Sequence, residues 1–134
     1  MDIFSELKKL NFPKSKYLVI GGATMAGRGL KQTKDLDLLL SRDFIEELRK
    51  DKKWKYHPRI IPPEEAGLVN EDGTVELYPT VGGGLSLSFE DMKTREEIIQ
   101  DFPFADLRDE LLIKQAFRRE KDLKDIELIE EYLK

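Results

Sequence analysis

Residues 17–40 read YLVIGGATMAGRGLKQTKDLDLLL, and the division of that stretch decides the fold. Tyr17-Leu18-Val19-Ile20 is a β-branched and aromatic run stopped by Gly21-Gly22, where the chain can turn sharply or admit another group close to its backbone. Ala23 to Leu30 has the length and composition of a two-turn helix, and Lys31-Gln32-Thr33 returns the chain into a second strand, Asp35 to Leu40. Side chains alternate along a strand, so Leu36, Leu38 and Leu40 face one way and Asp35 and Asp37 the other, their Cα atoms roughly 6.5–7 Å apart. Such a pair is costly to bury uncompensated, so it must face water, a cationic partner or a metal ion. Alternation of this kind is also what any half-exposed strand shows. The glycines add a second feature: a Gly-Gly turn opening a helix presents backbone N–H groups and the positive end of the helix dipole, suited to a triphosphate.

The whole chain sets the frame. Its 134 residues give room for one domain, 1–134, with a real core. The absence of cysteine removes disulfides and thiolate metal sites. MDIFSELKKLNF lacks the long apolar run of a signal peptide and no stretch approaches a membrane span, so the expectation is a soluble cytoplasmic protein without membrane contact. Charged residues make up 37% of the chain against two Asn and three Gln, a bias that resembles thermophile composition. A formal net charge of -4 argues against a broad nucleic-acid-binding surface, which is normally basic, but Lys14, Lys16, Arg28, Lys31 and Lys34 gather around the opening motif.

Outward from that motif, Asp2 to Leu10 puts Ile3, Phe4, Leu7 and Leu10 on one helical stripe that Pro13 ends. Asp43 with Glu46 forms a capping box for a helix reaching about Lys50. Trp54 to Ile61 reads as a strand that Pro58 confines to an edge or breaks, and Pro62 to Glu65 as a loop. His57, the only histidine, has no Cys or carboxylate at ligand spacing and reads as structural. Asn70 to Gly73 is a turn between Leu68-Val69 and Thr74 to Tyr78, giving a hairpin. In its second strand Glu76 lies opposite Val75 and Leu77, a candidate third carboxylate. Gly82-Gly83-Gly84 lacks a following Lys-Ser/Thr and reads as a loop; Leu85, Leu87 and Phe89 alternate as a further strand, and Glu90 to Arg95 is a helical turn. Ile98-Ile99 and Phe102-Pro103-Phe104 are short apolar pieces suited to edge strands.

Asp106 then caps a helix from Leu107 to about Arg118, in which Lys114 and Arg118 fall inside the apolar arc of Leu107, Leu111, Ile113 and Phe117. Two cations there either snorkel out or reach anions in a cleft. Asp122 reads as the N-cap of a last helix with a core stripe of Leu123, Ile126, Ile129 and Leu133.

An apolar strand, Gly21-Gly22, a short helix, then Thr33, Asp35 and Asp37 resembles the nucleotidyltransferase-fold superfamily, particularly the small prokaryotic group that includes the AbiEii-type toxins of type IV toxin–antitoxin pairs. Lys31 stands where that pattern has Arg, and Ala23 where many relatives carry Ser, with Thr24 the nearby hydroxyl. The resemblance extends to Glu76, at a position where Asp is usual, and to Lys114, Arg119, Lys121, Asp122 and Asp125, which match a Lys-x4-Arg-x-Lys-Asp-x2-Asp ending.

The resemblance implies an α+β fold: a mixed β-sheet with helices packed on it and a C-terminal helical pair beside the cleft. It implies transfer of a nucleoside monophosphate from an NTP to an acceptor hydroxyl on RNA such as tRNA, on a protein or on a small molecule. Asp35, Asp37 and Glu76 would hold Mg²⁺ or Mn²⁺, Gly21 and Gly22 would cradle the phosphates, and Thr24, Lys31, Thr33, Lys114, Arg119 and Lys121 would line the nucleotide. An antitoxin protein is the implied partner. The alternative is a nucleotide- or partner-binding module that keeps the fold without turnover, to which Ala23, Lys31 and Glu76 point.

Overall fold

The computed structural model describes residues 1–57 and 66–134, and in it the opening run Tyr17–Ile20 is a fully buried strand, β1, whose antiparallel neighbour β2 is Leu36–Leu40. Among the described residues the remaining strands are β3 (Lys55–Tyr56), β4 (Leu68–Val69), β5 (Val75–Tyr78), β6 (Glu97–Ile99) and β7 (Phe102–Phe104). They form one mixed sheet of seven strands in the order β3-β4-β5-β2-β1-β7-β6. β1 runs parallel to β7 and β2 parallel to β5, while β3/β4, β4/β5 and β6/β7 are antiparallel. Six α-helices accompany it among the described residues: α1 (Ile3–Leu10), α2 (Gly22–Ala26), α3 (Arg42–Leu48), α4 (Phe89–Lys93), α5 (Leu107–Phe117) and α6 (Glu120–Leu133). None of them is long and apolar enough to cross a membrane.

The strand alternation sorts the core into layers. Leu36, Leu38 and Leu40 face one side with Val19 and Leu77, where Ile3 and Leu7 of α1 and Phe44 and Ile45 of α3 cover them. Leu18, Ile20 and Leu39 face the other, under Phe89 and Met92 of α4 and Ile113 of α5. The face carrying Asp37 is therefore roofed by helices over part of its length rather than left to water.

Several local expectations need correction. The helix after the glycines runs only over five residues, because Gly29 turns left-handed (φ +75°) and the Leu30 N–H closes back on the Met25 carbonyl at 3.0 Å. Ser41, not Asp43, precedes α3; Asp43 lies inside the first turn with its carboxylate 2.7 Å from the Lys16 ammonium, so no capping box forms with Glu46. Leu85 to Phe89 is not a strand. Gly82, Gly83 and Gly84 all adopt positive φ and lead the chain off the sheet, and Leu85 and Leu87 satisfy their alternation by packing on the second core layer. β7 is internal rather than an edge, the Ala105 N–H reaching the Val19 carbonyl at 2.9 Å just past Pro103. Of the strand expected over Trp54 to Ile61, Lys55–Tyr56 is seen; Pro58 to Ile61, and the loop Pro62 to Glu65, lie outside the described residues.

Gly27 joins α2 to the sheet. A Cβ there would sit 2.3 Å from Cε2 of Phe104, a fully buried ring with no room to swing. Gly27→Ala is expected to cost about 1–3 kcal/mol by overpacking, read from the urea midpoint; an unchanged midpoint contradicts this packing.

Candidate functional site

The parallel pairing of β2 and β5 sets Asp37 directly beside Glu76. Both side chains are half-buried and lie on the same face, while Asp35, just ahead of β2, is exposed at its rim. Gly21 adopts φ +67°, ψ −151°, a conformation other residues rarely adopt, and a Cβ there would stand 2.8 Å from Oδ2 of Asp37. The Asp37 carboxylate thus rests against a bare backbone. On the other side of the turn, Glu110 of α5, 1% exposed, accepts a hydrogen bond from the Gly21 N–H at 2.7 Å.

This gathering of acids sets the electrostatics. Burial, then the charges of Glu76, Asp35 and Glu110, push the Asp37 carboxyl up to about 7, and Lys121 only partly opposes them. Burial likewise raises Glu110, against the lowering effect of Lys114 and of the Gly21 N–H. Glu76 accepts a hydrogen bond from the Tyr78 hydroxyl at Oε2, and Nε2 of the buried His57 stands 3.9 Å from Oε1. Mg²⁺ usually takes one or two protein carboxylates. The Asp37–Glu76 pair supplies that number, and the accumulated like charge on Asp37 is what a divalent cation relieves. Among the described residues no three metal-ligating side chains surround one point, so Asp35 is not drawn in beside the pair.

The cations fall into two groups. Lys114 is 5% exposed, its ammonium 3.0 Å from Oδ2 of Asp125 and 3.9 Å from both Glu110 and Asp122. Lys31 reaches the same Asp125 oxygen at 2.8 Å. Burial alone would raise Asp125, but hydrogen bonds from Lys31 and Lys114 more than offset it and hold it below the usual range. One carboxylate thus ties the segment before β2 to α5 and α6. Arg119 clamps Asp122 through Nε at 2.8 Å and stacks over Phe117, its guanidinium 5.0 Å from the ring centroid. Asp122 does not cap α6 from outside. It lies one turn in and accepts the Arg119 backbone N–H at 3.0 Å, making Arg119 the N-cap. Arg118, set in the apolar arc by the spacing, instead leaves α5 as its left-handed C-cap, exposed.

Lys121 and Lys124 make no ion pair among the described residues; with Lys31, Arg119, Glu120 and Asp125 they line an open depression. Lys31 and Thr33 lie over Gly22, within 3.5 Å of where its Cβ would be. The Thr33 hydroxyl closes a local turn on the Asp35 backbone.

The structure thus brings together Gly21, Gly22, Lys31, Thr33, Asp37, Glu76, Arg119 and Lys121. Thr24 is elsewhere: fully buried, its hydroxyl donates to the Ala105 carbonyl at 3.4 Å and accepts from Arg28. Lys114 lies beneath the depression, not in it. Sequence reasoning missed Glu110, Tyr78 and the role of Asp125. Two signals were present: Glu110 is four residues before Lys114, one helical turn, and Tyr78 is two residues past Glu76, on the same strand face. Gly21→Ala is expected to destabilise the chain by about 1–3 kcal/mol through its forced conformation and to displace the Asp37 carboxylate; chemical denaturation checks the first, and a wild-type midpoint contradicts it.

Comparison with protein-family models, curated proteins and solved structures finds no match to this chain.

Proposed function

We propose that this chain is a nucleotidyltransferase-fold enzyme that moves a nucleoside monophosphate from an NTP to an acceptor hydroxyl. The observation that carries the reading is the Asp37–Glu76 pair, in register on adjacent parallel strands, with the Asp37 carboxylate packed against the glycine turn at Gly21. Asp37 and Glu76 would hold Mg²⁺ or Mn²⁺, and the cation would offset the charge of the departing pyrophosphate and acidify the acceptor hydroxyl.

The remaining work belongs to the protein. Lys31, Arg119 and Lys121 hold the anionic phosphates in the depression, and Lys121 faces Asp37 closely enough to lower it. Lys114 is a positioning residue in this scheme: it fixes Asp125, and Asp125 fixes Lys31. A second reading, a nucleotide-binding module without turnover, draws on the Gly21 N–H being occupied by Glu110 and on the Thr24 hydroxyl being buried.

The test is transfer of label from α-labelled NTPs, with Mg²⁺, to RNA, proteins or small alcohols. The wild type is expected to exceed Asp35→Asn/Asp37→Asn by at least a hundredfold. Equal transfer rejects catalysis here; Mg²⁺-dependent NTP binding without transfer selects the binding module.

A further inference from the structure

The pairing that sets Asp37 beside Glu76 also sets Leu39 beside Tyr78, so Tyr78 stands on the carboxylate face. Its ring is half-buried against the second core layer, and its hydroxyl turns back to donate to Oε2 of Glu76. His57 flanks the pair, 3.9 Å from the other Glu76 oxygen and with its ring centroid 6.3 Å from that of Tyr78. Arg119 lies within electrostatic reach of both Tyr78 and Asp37. The other hydroxyls near the glycine turn are engaged with backbone: Thr24 with Ala105 and Thr33 with Asp35. One side-chain hydroxyl of this chain is therefore already hydrogen-bonded to a carboxylate that an acceptor must approach.

Resting on the nucleotidyl-transfer reading, we propose that Tyr78 is an acceptor in its own right and that the chain nucleotidylates itself there. The Tyr78 oxygen attacks the α-phosphorus of the NTP. An O–Pα bond forms as the bond from Pα to the bridging oxygen breaks, pyrophosphate leaves with the bond's electron pair, and the phenolic proton passes to Oε2 of Glu76. No oxidant or further reactant is needed. The product is a tyrosyl phosphodiester whose negative charge lies beside Asp37 and Glu76, where like charge already accumulates. The modification is thus self-limiting, because the modified chain binds a second NTP more weakly.

The experiment uses the full chain with Mg²⁺ and each α-labelled NTP in turn, without added acceptor, followed by intact mass and peptide mapping. The expected result is a gain of one nucleoside monophosphate located on Tyr78. Calorimetry of the modified chain should show at least a tenfold loss of NTP affinity, and Tyr78→Phe should label at least tenfold less while melting cooperatively. If an acceptor added in a parallel reaction is labelled but Tyr78 is not, or if Tyr78→Phe labels as fast as wild type, self-modification at Tyr78 is wrong and the transfer reading stands. If neither the chain nor, in a parallel reaction, an added acceptor takes label, or if the mass gained is that of a bare phosphate, both fail together.

Discussion

Lys114→Met is expected to destabilise the folded chain by about 3–5 kcal/mol, since it removes the cation from a buried set of acids. Glu110, Asp122 and Asp125 are 1%, 0% and 6% exposed, and all three lie within 4 Å of the Lys114 ammonium. Arg119 still holds Asp122 and Lys31 still holds Asp125, so Glu110 loses most, keeping only the Gly21 N–H. The sign of the pH dependence follows. Glu110 already has its carboxyl raised by burial, and without Lys114 it rises further. A raised acid favours folding at low pH and loses that contribution as pH climbs through its folded value. The deficit of Lys114→Met should therefore be larger at pH 8 than at pH 5. Urea denaturation at both values checks it; a deficit under about 1 kcal/mol at pH 8 means that the buried acids do not depend on this ammonium.

Asp37→Asn has an effect of opposite sign on the cation-free protein. The folded carboxyl titrates near 7 rather than 3.8, so its favourable contribution is complete below 3.8 and lost as pH rises from there through 7. A shift of that size on a half-buried group corresponds to roughly 2–4 kcal/mol of ionisation penalty at pH 8. Removing the charge should make the variant about 1–3 kcal/mol more stable than wild type at pH 8 in EDTA, with the difference fading towards pH 4. Millimolar Mg²⁺ should raise the wild-type melting temperature at pH 8 and leave that of Asp37→Asn unmoved. A variant less stable than wild type at pH 8 without divalent cations contradicts the assignment of strain to this carboxylate.

Much of this arrangement was legible in the sequence because strand periodicity is local. The alternation of Asp35 and Asp37 with leucines, and the turn at Asn70 to Gly73 that fixes the phase of Thr74 to Tyr78, placed Asp37 and Glu76 opposite the apolar faces of strands that do pair. What was not legible depends on which elements meet. The apolar arc of α5 pointed Lys114 inward, but its partners Asp122 and Asp125 arrive on α6, and only the packing of the two helices shows that the acids absorb its charge. Phe117, placed in that arc, is 42% exposed under the glycine loop Gly82 to Gly84. Leu85 to Phe89 shows why alternation alone misleads: the same pattern serves a coil laid over a core. Thr24 was drawn towards the glycine turn by sequence proximity, whereas α2 winds it round to face Ala105.

Calorimetric titration of an NTP into the wild-type chain, with Mg²⁺ and again with EDTA, and into Asp37→Asn with Mg²⁺, tests the Asp37–Glu76 pair most directly. Binding is expected in the first case only, weakened at least tenfold in the other two. Equal affinity in all three would show that the nucleotide does not use the paired carboxylates, and the proposed function would fall with it.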